Sequence, residues 1–328
     1  MRDATKASIH FRIRQGAGGR ISNLESRIQY NHQPMNKYFF ACAGIVALLT
    51  NVVVAGDRPA TIEEFYDAGA KTRVIAHRGF SSAAPENTLA AVRAAIEVGA
   101  DMVEIDVTLT ADGQVVVIHD ETVDRTSDGS GEVFRFKLAE IQTLDAGSWF
   151  SPAFAGERIP TLDAVLAEVE GRILLNVEIK SEAVDRGIVA KVAAAIRERG
   201  MTDQVVVSSF APTALDQMQG AAPEIRTAVL FSQKLHKGQD PVEIVNGVGA
   251  SVLHIKRTRL TRKMLRRCHE NGIPVGIYTV NKPRRMRRMA EKGIDAVFTD
   301  HPDRFLEILN PAPSAAPSPN LEPAVATP

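Results

Sequence analysis

Between residues 73 and 309 the chain alternates short apolar runs with stretches of helical period. The runs are RVIAH (73–77), MVEIDV (102–107), ILLNVEI (173–179), VVVSSF (205–210), RTAVLF (226–231), SVLHI (251–255), PVGIYTV (274–280) and DAVFT (295–299). Their β-branched content predicts strands. Apolar positions spaced by three and four predict helices over 88–98, 159–169, 184–199, 212–219, 241–247, 261–271, 282–292 and 302–309. Repeated strand-then-helix order, with apolar strands, predicts a parallel sheet covered by helices. Eight such strands in about 240 residues suit an α/β fold of the (β/α)8 TIM-barrel type. A doubly wound open sheet is the alternative.

One apolar run does not fit that count. VVVIH (115–119) follows the second barrel strand after a turn at Asp112-Gly113. It reads as the return strand of a hairpin grown from that loop. Residues 120–160 also lack barrel periodicity, with turns in TSDGSGE, a short helix near 138–144 and the sequence AGSWF. They read as an insertion over the barrel mouth.

The polar residues at the strand ends favour the barrel, because catalytic groups of that fold sit at the C-terminal ends of its strands. The first run ends in His77-Arg78-Gly79, and the second holds Glu104 and Asp106. The third holds Glu178 and is followed by Lys180, while the hairpin ends in His119-Asp120. Period two puts Glu104 and Asp106 on one face and Val103, Ile105 and Val107 on the other. The same rule groups Asn176, Glu178 and Lys180. Three carboxylates thus converge on one mouth, where like charges repel and desolvation is costly. A hard divalent cation with oxygen ligands relieves this, Mg²⁺ or Ca²⁺ being the natural occupants. Salt bridges to Arg78 and Lys180 are the alternative. His77 and His119 titrate near neutrality and suit acid–base work. Arg78 and Lys180 suit an anionic substrate. Together these groups describe phosphoryl transfer or hydrolysis.

In this order and spacing, HRG, PENT, EIDV, IHD and EIK, followed by VVVSSF, YTVN and FTDHPD, resemble the glycerophosphodiester phosphodiesterase family over about residues 73–305. The resemblance implies a (β/α)8 barrel with a small insertion after the IHD segment. It implies metal ligands at Glu104, Asp106 and Glu178, a catalytic pair at His77 and His119, and phosphate-binding groups at Arg78 and Lys180. Glu86, in PENT, matches a position near the site that either binds metal or braces the loop. Tyr278 stands where the family usually has Trp, which puts the glycerol side of the pocket in question. The implied reaction is hydrolysis of a glycerophosphodiester to glycerol 3-phosphate and an alcohol, with His119 as acid and His77 as base. The nucleophile is water or the substrate's own glycerol hydroxyl. A lysophospholipase D would need an apolar path, for which Phe80, Trp149, Phe150 and Phe154 are the candidates. A non-catalytic binder would not need both histidines.

Composition narrows the partners. Lys+Arg and Asp+Glu both number 39 and aromatics are 5%, which argues against a nucleic-acid partner. Two cysteines, Cys42 and Cys268, form no zinc-type spacing. Residues 35–55, from Met35 through Lys37 and an apolar run to Ala55, read as a signal peptide, so the protein is expected to be exported to the periplasm. The alternative is an inner-membrane anchor over 38–55. Residues 1–34 read as a basic leader or as sequence before the true start, and 310–328 as a disordered Pro/Ala-rich tail. Two basic runs, KRTRLTRKMLRR (256–267) and KPRRMRRMAEK (282–292), read either as solvated helix faces or as a patch making weak contact with an anionic membrane surface. His236, His254, His269 and His301 have no partner pattern and read as structural.

Overall fold

The computed structural model describes residues 58–311, apart from 68, 70, 233–235 and 237. The expected leader, signal or anchor segment and the tail beyond 311 lie outside the described residues. Among the described residues no helix is long and apolar enough to cross a membrane.

The described chain begins with α1 (Ile62–Phe65), β1 (Arg73–Ala76), α2 (Leu89–Val98), β2 (Met102–Leu109) and β3 (Val115–Val117). It continues through α3 (Leu138–Ile141), α4 (Leu162–Val169), β4 (Leu174–Ile179), α5 (Ile188–Glu198), β5 (Val205–Ser209) and α6 (Pro212–Ala221). The last elements are β6 (Thr227–Phe231), α7 (Pro241–Gly247), β7 (Val252–Lys256), α8 (Arg262–Glu270), β8 (Val275–Tyr278), α9 (Pro283–Ala290), β9 (Ala296–Thr299) and α10 (Pro302–Leu309). β1 pairs in parallel with both β2 and β9, and the ring closes through β4 to β8. The eight parallel strands are the eight expected runs.

β3 is the hairpin strand. It lies antiparallel to the end of β2, with Val107 opposite Val117 and Leu109 opposite Val115. β2 pairs with β1 only at Met102 and Val103, so its later residues leave the ring on that side. Their backbone groups need another partner, and β3 supplies it. The hairpin and the insertion share a small core that includes Val116, Ile118, Val133 and Ile141.

Local signals start the helices. Thr88, Thr161 and Thr261 cap α2, α4 and α8 by accepting the N–H of Ala91, Ala164 and Met264. Proline opens α6, α7, α9 and α10. The helix expected over 184–199 starts four residues late. Residues 181–186 form a 3₁₀ turn, Gly187 takes φ 78°, and α5 begins only at Ile188. Left-handed backbone at Gly187 interrupts the regular helix there.

The strands divide their side chains as period two requires. Val103, Ile105 and Val107 of β2 pack outward with Val177 and Ile179 of β4 against α2, α4 and α5. Inside, at the N-terminal end of the barrel, Met102, Leu174, Val206, Ala228 and Val252 form an apolar layer. Ile62, Phe65 and Tyr66 plug that end. α1 has only four residues, too few for a periodic signal, and the sequence reading did not anticipate it. Further up the strands the interior turns polar, with Glu104, Asn176, Ser208 and His254 all buried.

His254 is a structural histidine, as expected. Its Nε2 is hydrogen-bonded to the Tyr66 hydroxyl at 3.0 Å, and its buried Nδ1 has no hydrogen-bond partner. Burial pushes its pKa down to about 3, so the ring is neutral. Gly276 makes room for it, since a Cβ there would lie 2.7 Å from His254 Cδ2. Tyr66→Phe would leave both ring nitrogens unpaired. It is expected to lower stability by about 1–3 kcal/mol, the cost of one unsatisfied buried polar group, as measured by urea unfolding.

Candidate active site

Each motif of the mouth has a local physical reason. After β1 the chain turns sharply, with Arg78 at φ 56° and Gly79 at φ 81°. The turn aims the Arg78 backbone N–H at Glu104 Oε2, 2.8 Å away, and the Gly79 N–H at the Glu104 carbonyl. Gly79 also packs on α2, where a Cβ would come within 2.6 Å of the Ala91 backbone. In the next loop, Glu86 takes a hydrogen bond from Arg78 at 2.8 Å. Asn87, at φ 59°, brackets Asp106: its Nδ2 donates to Oδ2 at 2.9 Å and its Oδ1 accepts the Asp106 N–H at 3.2 Å. Asn tolerates this left-handed backbone better than most residues do.

The three expected carboxylates meet. Oxygen atoms of Glu104, Asp106 and Glu178 lie within 4.8 Å of one another. Strand register causes this, because Asp106 stands opposite Glu178 and Glu104 opposite Asn176. Glu104 and Asp106 are 2% and 1% exposed, so solvent does little to relieve their repulsion. Lys180 Nζ sits 2.9 Å from both Asp106 Oδ1 and Glu178 Oε1, and Arg78 Nε is 3.4 Å from Asp106 Oδ2. The salt bridges weighed from sequence are therefore formed.

They do not neutralise the cluster. Burial raises the Asp106 pKa, but Lys180, Arg78, His119 and the Asn87 hydrogen bond outweigh it and hold the group well below the usual carboxylate range. Glu104 is compensated less. Burial, with the Asp106 charge, pushes it up to about 8 against the pull of His77 and Arg78. Burial and Asp106 also raise Glu178, against the pull of Lys180. The buried Asn176 Oδ1, on the strand position facing Glu104, has no hydrogen-bond partner. An all-oxygen donor set, surplus negative charge and a free amide oxygen fit a hard divalent cation.

Both histidines are held by carboxylates. His77 Nδ1–H donates to Asp300 Oδ1 at 2.7 Å. Asp300 is itself held by Asn281 and, at 3.3 Å, by the Ser81 hydroxyl. His119 Nδ1–H donates to Asp120 Oδ1 at 2.6 Å, and Arg125 Nε donates to Asp120 Oδ2 at 2.6 Å. In each ring this leaves Nε2 for the cavity. The two pKa values move apart. Burial depresses His77, but Asp300 and the Glu104 charge outweigh it and the net shift is upward. For His119, burial together with Lys180 and Arg78 outweighs the carboxylates, and the net shift is downward.

Arg125 ties these parts together. Its two terminal nitrogens donate to the two Glu86 oxygens, each at 2.8 Å. One side chain from the insertion thus links the Asp120 that orients His119 to the Glu86 that holds Arg78. Glu86 braces the loop and is not among the clustered carboxylates. Arg125, Asp300, Asn281 and Asn87 were not singled out from sequence. For Asp300 a signal existed: period two along β9, from Ala296 through Phe298, points residue 300 inward.

Over this constellation lies a cavity of about 170 Å³. Both histidines, Arg78 and the carboxylates line one side, and Phe210, Leu230, Tyr278 and Phe298 the other. The Tyr278 hydroxyl donates to the Phe231 carbonyl at 3.1 Å, which leaves its ring as the wall. The apolar path weighed from sequence is not part of this lining. Trp149, Phe150 and Phe154 stack edge to face on one another, and Phe80 packs on the outer core.

The comparisons agree with this geometry. The family model described as "Glycerophosphoryl diester phosphodiesterase family" matches residues 77–304. A glycerophosphodiester phosphodiesterase of Caldanaerobacter subterraneus is 41% identical over 241 residues, 73% of this chain and 98% of that protein. The crystal structure of such an enzyme from Agrobacterium tumefaciens superposes with TM-score 0.64 at 35% identity, covering 71% of this chain and 98% of that one. An Oleispira antarctica phosphodiesterase in complex with the product sn-glycerol-3-phosphate superposes with TM-score 0.69 at 32% identity, covering 73% of this chain and 97% of that one. By fold, by motif and by these likenesses, the chain belongs to the glycerophosphoryl diester phosphodiesterase family.

Proposed function

We propose that this protein hydrolyses glycerophosphodiesters to glycerol 3-phosphate and an alcohol, with a divalent cation held by Glu104, Asp106 and Glu178. The observation that carries the reading is the meeting of two buried carboxylates and a partly buried third with two carboxylate-held histidines at one small cavity. A bound Mg²⁺ or Ca²⁺ would supply Lewis-acid stabilisation of charge on the phosphoryl oxygens. Arg78 and Lys180 stand beside that position and offer cationic donors to the same oxygens. Tyr278 and Phe210 give the polar group an apolar wall to lie against. A cavity of about 170 Å³ suits a glycerol phosphate moiety with the alcohol pointing outward.

The proton transfers fall to the two Nε2 atoms. A general acid must hold its proton at the working pH and a base must lack it. The groups around the rings favour a protonated His77 and a neutral His119, an order opposite to the one expected from sequence. A cation held by the carboxylates would offset the Glu104 charge, and the hydrogen bond to Asp300 would then be the group that favours the protonated His77 ring. His119 Nε2 then takes the proton of the attacking hydroxyl as the new P–O bond forms. His77 Nε2 gives its proton to the leaving oxygen as the old P–O bond breaks. If the nucleophile is the substrate's own glycerol hydroxyl, a cyclic phosphate results. The histidines exchange roles when water opens it.

His119→Ala and His77→Ala are each expected to lower kcat by roughly 10²–10⁴-fold, the usual weight of one acid or base, in an assay of glycerol 3-phosphate release. Cation affinity should stay intact, and near-normal turnover in either variant would sink the assignment. EDTA should abolish release and added Mg²⁺ or Ca²⁺ should restore it. With Glu104 at about 8, cation binding at neutral pH must displace a proton. Calorimetry should therefore find cation affinity rising with pH up to about 8 and flat above it. Asp300→Asn removes the carboxylate that raises His77, so the His77 limb of the pH–rate profile moves to lower pH. If His77 is the acid, that is the alkaline limb; movement of the acid limb instead would make it the base.

A further inference from the structure

The charges of this chain are segregated. Residues 256–292 carry thirteen Lys and Arg against two acidic residues, although the chain as a whole balances 39 against 39. Of those thirteen, all but Arg257 are exposed. Arg266 pairs with Glu270 at 3.7 Å and Arg267 with Asp240 at 2.8 Å. The rest form no ion pair among the described residues. The outer faces of the neighbouring helices α8 and α9 therefore present positive charge that the protein itself does not neutralise.

A groove of about 720 Å³ runs along this face. Its floor includes Leu265, Met289 and Ile294, and its rim carries Arg262, Arg266 and Lys292 together with the two acidic residues Glu270 and Glu291. We propose that the α8–α9 face docks on an anionic lipid bilayer, with the groove taking an anionic head group and the start of its acyl chain. Basic side chains near such a surface each add attraction, and their long stems cover apolar surface while the charged ends reach the phosphates. A nucleic acid would use the charge but not the apolar floor. Nor does this face offer a stacking platform: the exposed large hydrophobics among the described residues, Phe134 and Trp149, are both on the insertion.

The face adjoins the mouth. α8 and α9 follow β7 and β8, so both begin at the catalytic end of the barrel. Lys256 stands in register with Tyr278 of the cavity wall, and Lys282 follows the Asn281 that holds Asp300. Docking would therefore bring the cavity to the edge of the lipid surface. This inference concerns binding, so it stands or falls apart from the proposed chemistry.

The test uses the full chain and sedimentation with vesicles of phosphatidylcholine alone or mixed equally with phosphatidylglycerol. The apolar run at 38–55 and the basic leader are present in every variant, so the quantity read is the gain in affinity from neutral to anionic vesicles. The wild-type gain is expected to collapse as salt rises from about 0.1 M to about 1 M, which shortens the screening length from about 10 Å to about 3 Å. The combined variant Arg262→Gln, Arg284→Gln, Arg285→Gln, Arg288→Gln should lose the gain by roughly tenfold or more. All four residues are exposed and lie outside the candidate site, so melting temperature and turnover of a soluble glycerophosphodiester should be unchanged. An unreduced gain in that variant, or equal wild-type binding to both vesicles, overturns the proposal. So does tighter binding to duplex DNA than to anionic vesicles at equal phosphate concentration.

Discussion

Repulsion among three carboxylates, packed within 4.8 Å of one another and nearly out of water, sets the terms for everything around the mouth. Such a cluster is costly unless charge or hydrogen bonding offsets it. The protein supplies part of the offset. Lys180, Arg78 and Asn87 all engage Asp106. The Glu104 carboxylate takes the Arg78 backbone N–H, yet burial, and after it the Asp106 charge, still push its pKa up. The arrangement leaves the mouth short of positive charge.

The barrel itself creates this strain. Parallel pairing of β2 with β4 sets Asp106 beside Glu178, and a one-residue slip would turn both toward the helices. The outward faces of the same strands bury Ile105 and Val177 against the helical layer, which holds the register in place. An apolar layer plugged by α1 closes the opposite end of the barrel. Polar chemistry is thus confined to one end and apolar packing to the other.

The histidines depend on elements that the strand ends alone do not provide. His119 reaches the mouth because β2 outruns the ring and β3 carries the chain back. His77 is oriented by a loop more than two hundred residues away in sequence, through Asp300. Arg125 makes the insertion part of the same network, since it grips Asp120 and Glu86 together.

The local periods of the chain already contained the eight barrel strands, the hairpin excursion and the shared face of Glu104 with Asp106 and of Glu178 with Lys180. Those features follow from side-chain alternation within a single strand, which needs no knowledge of the partner strand. Ring closure decided the rest. Only the folded barrel puts Asp300 on His77, Arg125 on Glu86 and Tyr66 on His254. These pairs are separated by 223, 39 and 188 positions, and periodicity carries no information over such distances. The four-residue α1 carries a local cap, Thr61 accepting the Glu64 N–H, but so short a helix gives no periodic signal and depends on its burial against the barrel floor.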